Sequence, residues 1–294
     1  MQSMLKKQLQ RAFQLGELEV HYQPKFHLAT GGLHGVEALL RWRTVSGQWI
    51  APATFVPVLE DTGLIDDVGI WLFQRTAADA AYWRCQGCDV GRVAINVSPL
   101  QLRRAGFLDW VLAISSSWSE WGASLELELT ESSLLPDPAA MVEPMNALAA
   151  ANVRFALDDF GMGYSSLELL TQLPASYLKI DRKFVGQMLD NGKSAAVVKA
   201  IVRLARETGL ETIAEGIETL AQLKQLQSIG CDIGQGHYFC AALDRDALLE
   251  FLRAGNPGAM PSVAPGDEAG VSSPLQGIPM RPVPPAPQPR SRLN

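Results

Sequence analysis

The chain has 294 residues, enough for one large domain or two small ones. Hydrophobic residues make up 47% and charged residues 19%, the profile of a globular protein with ample material for a core. With 25 basic against 31 acidic side chains, a formal net charge of −6 and no long basic stripe, the composition argues against a grip on a nucleic-acid polymer.

No run approaches the ~20 apolar residues that span a bilayer. The N-terminal segment MQSMLKKQLQRAFQLGE is charged and lacks the apolar stretch of a signal peptide. A soluble, cytoplasmic protein with no membrane partner is expected. The 4 cysteines are too few for a disulfide scaffold, and the lone CxxC at Cys85 and Cys88 has no second pair at zinc spacing, so reduced thiols are expected.

Short β-like runs recur along the chain: 18–23 (LEVHYQ), 33–39 (LHGVEAL), 92–97 (RVAINV), 125–130 (LELELT), 153–158 (VRFALD), 177–181 (YLKID), 211–215 (ETIAE) and 231–235 (CDIGQ). The first two are joined by a Thr30-Gly31-Gly32 turn, which reads as a hairpin and predicts an antiparallel first strand. Later gaps carry helical patterns, as at 194–209 and 218–230, closed by Gly209 and Gly230. Strand–helix alternation of this kind predicts an α/β fold, a (β/α)8 barrel closed or nearly so. From Gly255 the composition changes: 10 of the 18 prolines fall in the last 40 residues, with no apolar period. Residues 255–294 therefore read as a disordered or polyproline tail of unknown partner, and residues 1–254 as the folded domain, close to the ~250 residues typical of such a barrel.

In a barrel, strand residues alternate inward and outward, and function sits at the C-terminal mouth. The last polar residues of the strands are Glu37, Asn96, Glu128, Asp158, Lys179 with Asp181, Glu215 and Gln235. Their neighbours Val36, Leu127, Leu129 and Leu157 are apolar and are expected to face the helices. Glu37, Glu128, Asp158, Asp159 and Glu215 are carboxylates that would converge, with Lys179 as the compensating charge. Two bare carboxylates ~4 Å apart repel by about 4 kcal/mol at an effective dielectric of 20, so cations or protons must sit among them. Oxygen ligands with an asparagine, and no histidine or cysteine, select Mg²⁺ or Mn²⁺ over Zn²⁺. The adjacent Asp158-Asp159 pair is suited to bridging two metals, the usual clamp for in-line phosphodiester hydrolysis. The 4 histidines form no ligand set: His21, His27 and His34 cluster near the hairpin and His237 stands apart.

These residues also carry a family pattern. Glu37-Ala38-Leu39 with Leu40-Arg41-Trp42 resembles the defining motif of EAL-domain cyclic di-GMP phosphodiesterases. The resemblance extends to Tyr22-Gln23-Pro24, Ile95-Asn96-Val97-Ser98, Glu128-Leu129-Thr130-Glu131 and Asp158-Asp159-Phe160-Gly161-Met162-Gly163-Tyr164-Ser165-Ser166. It continues through Leu178-Lys179-Ile180-Asp181, Ala214-Glu215-Gly216-Ile217-Glu218 and Gln235-Gly236, in order, over roughly residues 5–250. It implies a barrel that opens cyclic di-GMP to linear 5′-pGpG by attack of a metal-bound hydroxide.

Carried over position by position, the resemblance implies one metal at Glu37, Asn96, Glu128 and Asp158, a second at Asp158, Asp159 and Glu215, and Asp181 as a further neighbour. Lys179 matches the lysine that holds the attacking water. Glu215 is also a candidate general base. Gln235 matches a residue near the metal water, and Gln23 and Arg41 match substrate contacts, with Arg41 suited to a phosphate. Glu131 matches a glutamate that pins the loop after Asp159, a feature of active members. The family dimer implies a homodimer through residues 159–166.

The chain departs from the family at Met162, where a small residue or threonine is usual, and at His237, Ala241 and Ala242, where an aromatic and a late basic residue with proline are usual. A receptor or interaction module that binds cyclic di-GMP without turnover is the alternative these departures keep open. A barrel glycosidase is a third reading, but it leaves the asparagine, the lysine and the Asp pair without a task. No GGDEF, receiver or sensory segment precedes the barrel in this sequence, so control is expected through dimerisation, the tail or partners.

Overall fold

The first β-like runs fold as a long hairpin. Strand β1 (Leu18–His27) pairs antiparallel with β2 (Leu33–Arg43), and backbone bonds between His27, Gly31 and Gly32 close the turn. The ribbon runs past the barrel and carries a two-residue strand, β3 (Trp49–Ile50), on its edge. Helix α1 (Gln2–Gln14) precedes β1, a feature absent from the strand-based reading. Its Leu9 and Ala12 pack with Leu18, Trp42, Phe55 and Leu59 in a small apolar cluster of their own. In this computed structural model the described residues are 2–120, 123–134, 138–161 and 167–255.

Alternation follows. Helices α2 (Pro52–Thr62) and α3 (Ile65–Cys85) lead to β4 (Arg92–Asn96), then α4 (Pro99–Arg103) and α5 (Phe107–Glu120) to β5 (Ser124–Thr130). Next come α6 (Glu131–Leu134), α7 (Pro138–Ala150), β6 (Arg154–Asp158), α8 (Leu167–Gln172) and β7 (Tyr177–Ile180). The described chain closes with α9 (Arg182–Gln187), α10 (Gly192–Glu207), β8 (Glu211–Ala214), α11 (Leu220–Ile229), β9 (Ile233–Gly234) and α12 (Arg245–Arg253). Helix α11 starts on a Thr219–Gln222 capping box and stops at Gly230, whose φ of +83° suits the left-handed helix terminus.

The sheet order β1-β9-β8-β7-β6-β5-β4-β2-β3, with β1 also paired to β2, closes all strands but β3 into an eight-stranded barrel. Strands β2 and β4 to β9 run parallel in sequence around it, and β1 is antiparallel to both of its neighbours. The (β/α)8 architecture and the antiparallel first strand are those expected from the hairpin and the alternation. Outward residues such as Val36, Ile95, Leu127, Leu129, Leu157 and Leu178 are fully buried under the helical shell. Inside, Ala156, Tyr177, Ile213 and Ile233 form a separate apolar layer. The sequence from 256 to 294, where the proline-rich tail was expected, lies outside the described residues, as do residues 162–166.

One polar contact ties the antiparallel strand to the shell. The Tyr22 hydroxyl donates to Asp79 Oδ2 on α3 at 2.6 Å, and Arg75 donates to the same oxygen at 3.1 Å. Tyr22 also meets Trp83 edge to face. A buried hydrogen bond to a carboxylate contributes about 1.5–3 kcal/mol. Tyr22→Phe, which deletes only the hydroxyl, should lower unfolding stability by about that amount in a denaturant titration; an unchanged midpoint would show that the bond contributes nothing to holding β1 in place.

Candidate active site

Period-two alternation sends every second residue of each strand to the barrel axis. On β2 the flanking Val36 and Ala38 belong to the outer core, and Glu37 faces inward opposite Gln23 of β1. On β5, Leu125, Leu127 and Leu129 face out while Glu126 and Glu128 are buried inside. Lys179 of β7 is likewise buried, between the outward Leu178 and Ile180. Asp158 ends β6, Asn96 ends β4, and Glu215 and Gln235 follow β8 and β9 by one residue.

These side chains meet. The Lys179 ammonium donates to Glu128 Oε2 in a short bond, to Asp158 Oδ2 at 3.0 Å and lies 2.7 Å from Glu215 Oε1. It lies 4.0 Å from Glu37 Oε1. Glu37 is fixed from both sides: Asn96 Nδ2 donates to its Oε1 at 2.8 Å and Gln235 Nε2 to its Oε2 at 2.6 Å. Gln235 is placed by a close chain crossing, since a Cβ on Gly236 would stand 2.2 Å from the Ile217 carbonyl oxygen.

Lys179 does not carry the compensating charge alone, as the sequence reading had it. Lys25 of β1 is fully buried and donates to Glu126 Oε1 at 2.7 Å and Glu128 Oε1 at 3.3 Å. Nothing in the sequence marked it, because a lysine in a strand otherwise reads as an exposed edge residue.

The electrostatics follow from burial and these contacts. Burial opposes the charge on Lys179, but Glu128, Glu215, Glu37 and Asp158 hold its ammonium well above the ordinary lysine value. Burial works against Glu37 too, and Lys179, Lys25 and the two amide donors nevertheless hold its carboxyl down at about 2. Burial pushes Glu215 up to about 7, with Lys179 pulling it down and Asp158 and Glu37 pushing it further up. Burial and the Glu37 charge push Glu128 upward, while Lys179 and Lys25 on its two oxygens oppose them.

A cavity of about 300 Å³ opens over this cluster. Gln23, Glu37, Asp158, Lys179, Glu215 and Gln235 line it, with Leu39, Arg182, Gly216, Glu218, Gly236 and His237, which were not singled out as site residues from the sequence. Neither Asn96 nor Glu128 lines it: Asn96 is exposed beside it and bonded to Glu37, and Glu128 is buried beneath Lys179. Arg41 is half-buried and near enough to Glu37 to feel its charge, but it donates to the Leu40 carbonyl and does not line the cavity. Asp159 is exposed, at a φ of +55°, with its backbone N–H bonded to Asp158 Oδ1 at 2.8 Å. Asp181 caps α9, accepting from the Lys183 N–H at 2.8 Å, and it raises the neighbouring Asp159 carboxyl together with burial and Asp158. Glu131 is buried at the start of α6; most of the loop it was expected to pin, residues 162–166, lies outside the described residues. Cys231 and Cys240 are buried free thiols pushed up to about 11 by desolvation.

The donor chemistry fits a hard divalent cation. The carboxylates of Glu37, Glu128, Asp158 and Glu215 outnumber the ammoniums of Lys179 and Lys25 around the mouth. Asn96 spends its N–H on Glu37, which leaves its carbonyl as the ligating end. Gln235 Oε1 is buried with no hydrogen-bond partner, an acceptor waiting for a donor such as water. Among the described residues no group of three acidic, histidine or cysteine side chains already converges at ligating distance.

Comparison with known proteins supplies the family. The family model described as EAL domain matches residues 6–242. The bifunctional diguanylate cyclase/cyclic di-GMP phosphodiesterase MucR of Pseudomonas aeruginosa is 39% identical over 241 residues, 82% of this chain and 35% of that protein. The cyclic di-GMP phosphodiesterase NbdA of the same organism is 35% identical over 250 residues, 85% of this chain and 32% of that protein. The chain thus spans about a third of the length of these curated relatives. Among solved structures, the MucR phosphodiesterase in complex with c-di-GMP has a TM-score of 0.77 at 37% identity, covering 83% of this chain and 99% of that one. The EAL domain of Mycobacterium smegmatis DcpA gives 0.66 at 31%, covering 82% and 98%. By a family match that runs from α1 to the segment after β9, on a barrel of the same architecture, the chain belongs to the EAL-domain family.

Proposed function

We propose that this chain is a metal-dependent phosphodiesterase that hydrolyses cyclic di-GMP to linear 5′-pGpG. The observation that carries the reading is the inward-facing set Glu37, Asn96, Glu128, Asp158, Lys179, Glu215 and Gln235, bonded to one another at one mouth. Relatives named as cyclic di-GMP phosphodiesterases support the substrate class. Cyclic di-GMP carries two phosphodiester anions, and a mouth with an excess of carboxylates repels them unless cations intervene. Glu37, Asn96, Glu128 and Asp158 would hold one Mg²⁺ or Mn²⁺, and Asp158, Asp159 and Glu215 would hold a second, with Asp181 as the neighbour of Asp159. Bound there, such cations stabilise charge on the attacking and leaving oxygens and make water acidic enough to attack near neutral pH.

The chain's own residues do the rest. Lys179 orders the carboxylates and faces the phosphate that enters the cavity. Glu215 lines the cavity beside Lys179 and is also the candidate to take the proton of the attacking water. Gln235 offers its unpartnered oxygen to that water and steadies Glu37 with its nitrogen. Gln23 lines the cavity and contacts the substrate, and Arg41, outside the lining on the same ribbon, reaches a phosphate that extends over it. The P–O3′ bond breaks opposite the entering oxygen, leaving a 5′-phosphate and a free 3′-hydroxyl. Glu131 supports the loop that begins at Asp159, and that loop, residues 159–166, forms the homodimer contact.

The deciding experiment is an incubation of purified protein with cyclic di-GMP and Mg²⁺ or Mn²⁺, resolved by chromatography. pGpG is expected, absent in EDTA. Binding without product would make the protein a receptor. Glu37→Ala should take turnover below detection, and a wild-type rate would remove the metal assignment. For Glu131→Ala a fall in kcat of roughly 10–100-fold is expected with cyclic di-GMP binding largely kept, since residues behind a ligand shell act on this scale; an unchanged kcat would refute the loop support. Deleting residues 256–294 should leave kcat/KM unaltered, whereas a large loss would make the tail part of the enzyme.

A further inference from the structure

Below the mouth, inside the barrel, lies the second buried cation. Lys25 is fully buried on the strand that runs against its neighbours. It reaches Glu126 Oε1 at 2.7 Å and Glu128 Oε1 at 3.3 Å. Glu128 therefore has an ammonium on each oxygen, Lys25 on Oε1 and Lys179 on Oε2. Glu126 and Glu128 point inward from one strand two residues apart, so Lys25 bridges successive layers of the barrel.

We infer that Lys25 is a positioning residue for Glu128: it ties down Oε1 so that Oε2 is presented to the mouth, and Glu126 anchors Lys25 for that task. The plainer reading is that Lys25 merely neutralises Glu126. The geometry speaks against it. Lys25 lies closer to Glu126, but Glu126 has a second basic neighbour in His34 Nε2 at 4.0 Å, and Lys25 also donates to Glu128 Oε1 at 3.3 Å, a contact that neutralising Glu126 does not require. A buried ion pair adds little stability over well-packed apolar residues, so this one points to work in the layer above it. Groups that hold a ligating carboxylate set its orientation and its hold on the metal.

The inference rests on the proposed reading of Glu128 as a metal ligand, and its test separates the two. Lys25→Met alone would leave Glu126 buried and unpaired and is expected to fold poorly. Lys25→Met/Glu126→Leu removes both charges, and Lys25→Gln/Glu126→Gln does so with polar side chains of similar size. Each is compared with wild type by thermal unfolding, by Mn²⁺ calorimetry and by kinetics on cyclic di-GMP. An unfolding midpoint near wild type is expected, with Mn²⁺ affinity and kcat lower by roughly 10–100-fold and KM unchanged. Wild-type Mn²⁺ affinity in a folded double variant overturns the inference and leaves the enzyme reading intact. A wild-type protein that binds Mn²⁺ without turnover overturns the enzyme reading alone, and reduced Mn²⁺ affinity in the double variants then still supports the role of Lys25. Failure of wild type to bind Mn²⁺ overturns both.

Discussion

The mouth of this barrel depends on one ammonium. Lys179 stands among Glu128, Asp158 and Glu215, with Glu37 just beyond. At an effective dielectric of 20, a contact of about 3 Å attracts by about 5 kcal/mol, and two carboxylates ~4 Å apart repel by about 4 kcal/mol. Lys179 touches three of these carboxylates at once, so its central position orders the cluster. The layer below repeats the arrangement with Lys25 between Glu126 and Glu128. Glu128 is common to both layers and couples them.

Barrel closure is what permits this density of charge. With no free edge among the closed strands, backbone groups are satisfied by their neighbours, and the axis is left to side chains. The outward face carries the hydrophobic stabilisation through Val, Leu, Ile and Phe under the helices. The inward face is thereby released from core duty at its upper end, while Ala156, Tyr177, Ile213 and Ile233 seal it lower down. An apolar shell outside and an ionic axis inside are two consequences of the same alternation.

That alternation is also why so much was legible beforehand. Each of the eight β-like runs became a barrel strand, and the Thr30–Gly32 turn announced the antiparallel one. Asp158, Lys179, Glu215 and Gln235 reach a common cavity because each stands inward at or near a strand end, while Glu37 reaches it from the middle of β2, which runs on to Arg43 past the expected end at 39. Residues outside that rule were harder to read. Lys25 keeps the inward parity of Gln23, but it lies beyond the run at 18–23 and follows a proline, so the strand reads as ended before it, whereas β1 continues to His27. Arg182, Glu218 and His237 belong to loops and helix starts, where spacing carries no direction. Asp181 keeps the right spacing to Lys179, yet the chain turns into α9 there and its side chain caps that helix. Helix α1 does carry a helical pattern, with Leu5, Leu9, Ala12 and Phe13 at i, i+4, i+7 and i+8, but its charged and amide residues make the segment read first as a terminus without an apolar leader.

The reversed first strand has a mechanical consequence. Because β1 starts where β2 ends, Leu18 opposite Trp42, the start of β1 and helix α1 lie on the mouth side of the barrel. Trp42, Phe55 and Leu59 bind that helix into a small lobe whose attachment to the barrel includes the ribbon itself. Gln23 and Glu37 are opposed partners on that ribbon. A slip of one residue between the strands would turn Glu37 away from the axis, so register and ligand geometry are one quantity. Displacement of the lobe therefore reaches Glu37 through a few pairs of backbone bonds along a single lever.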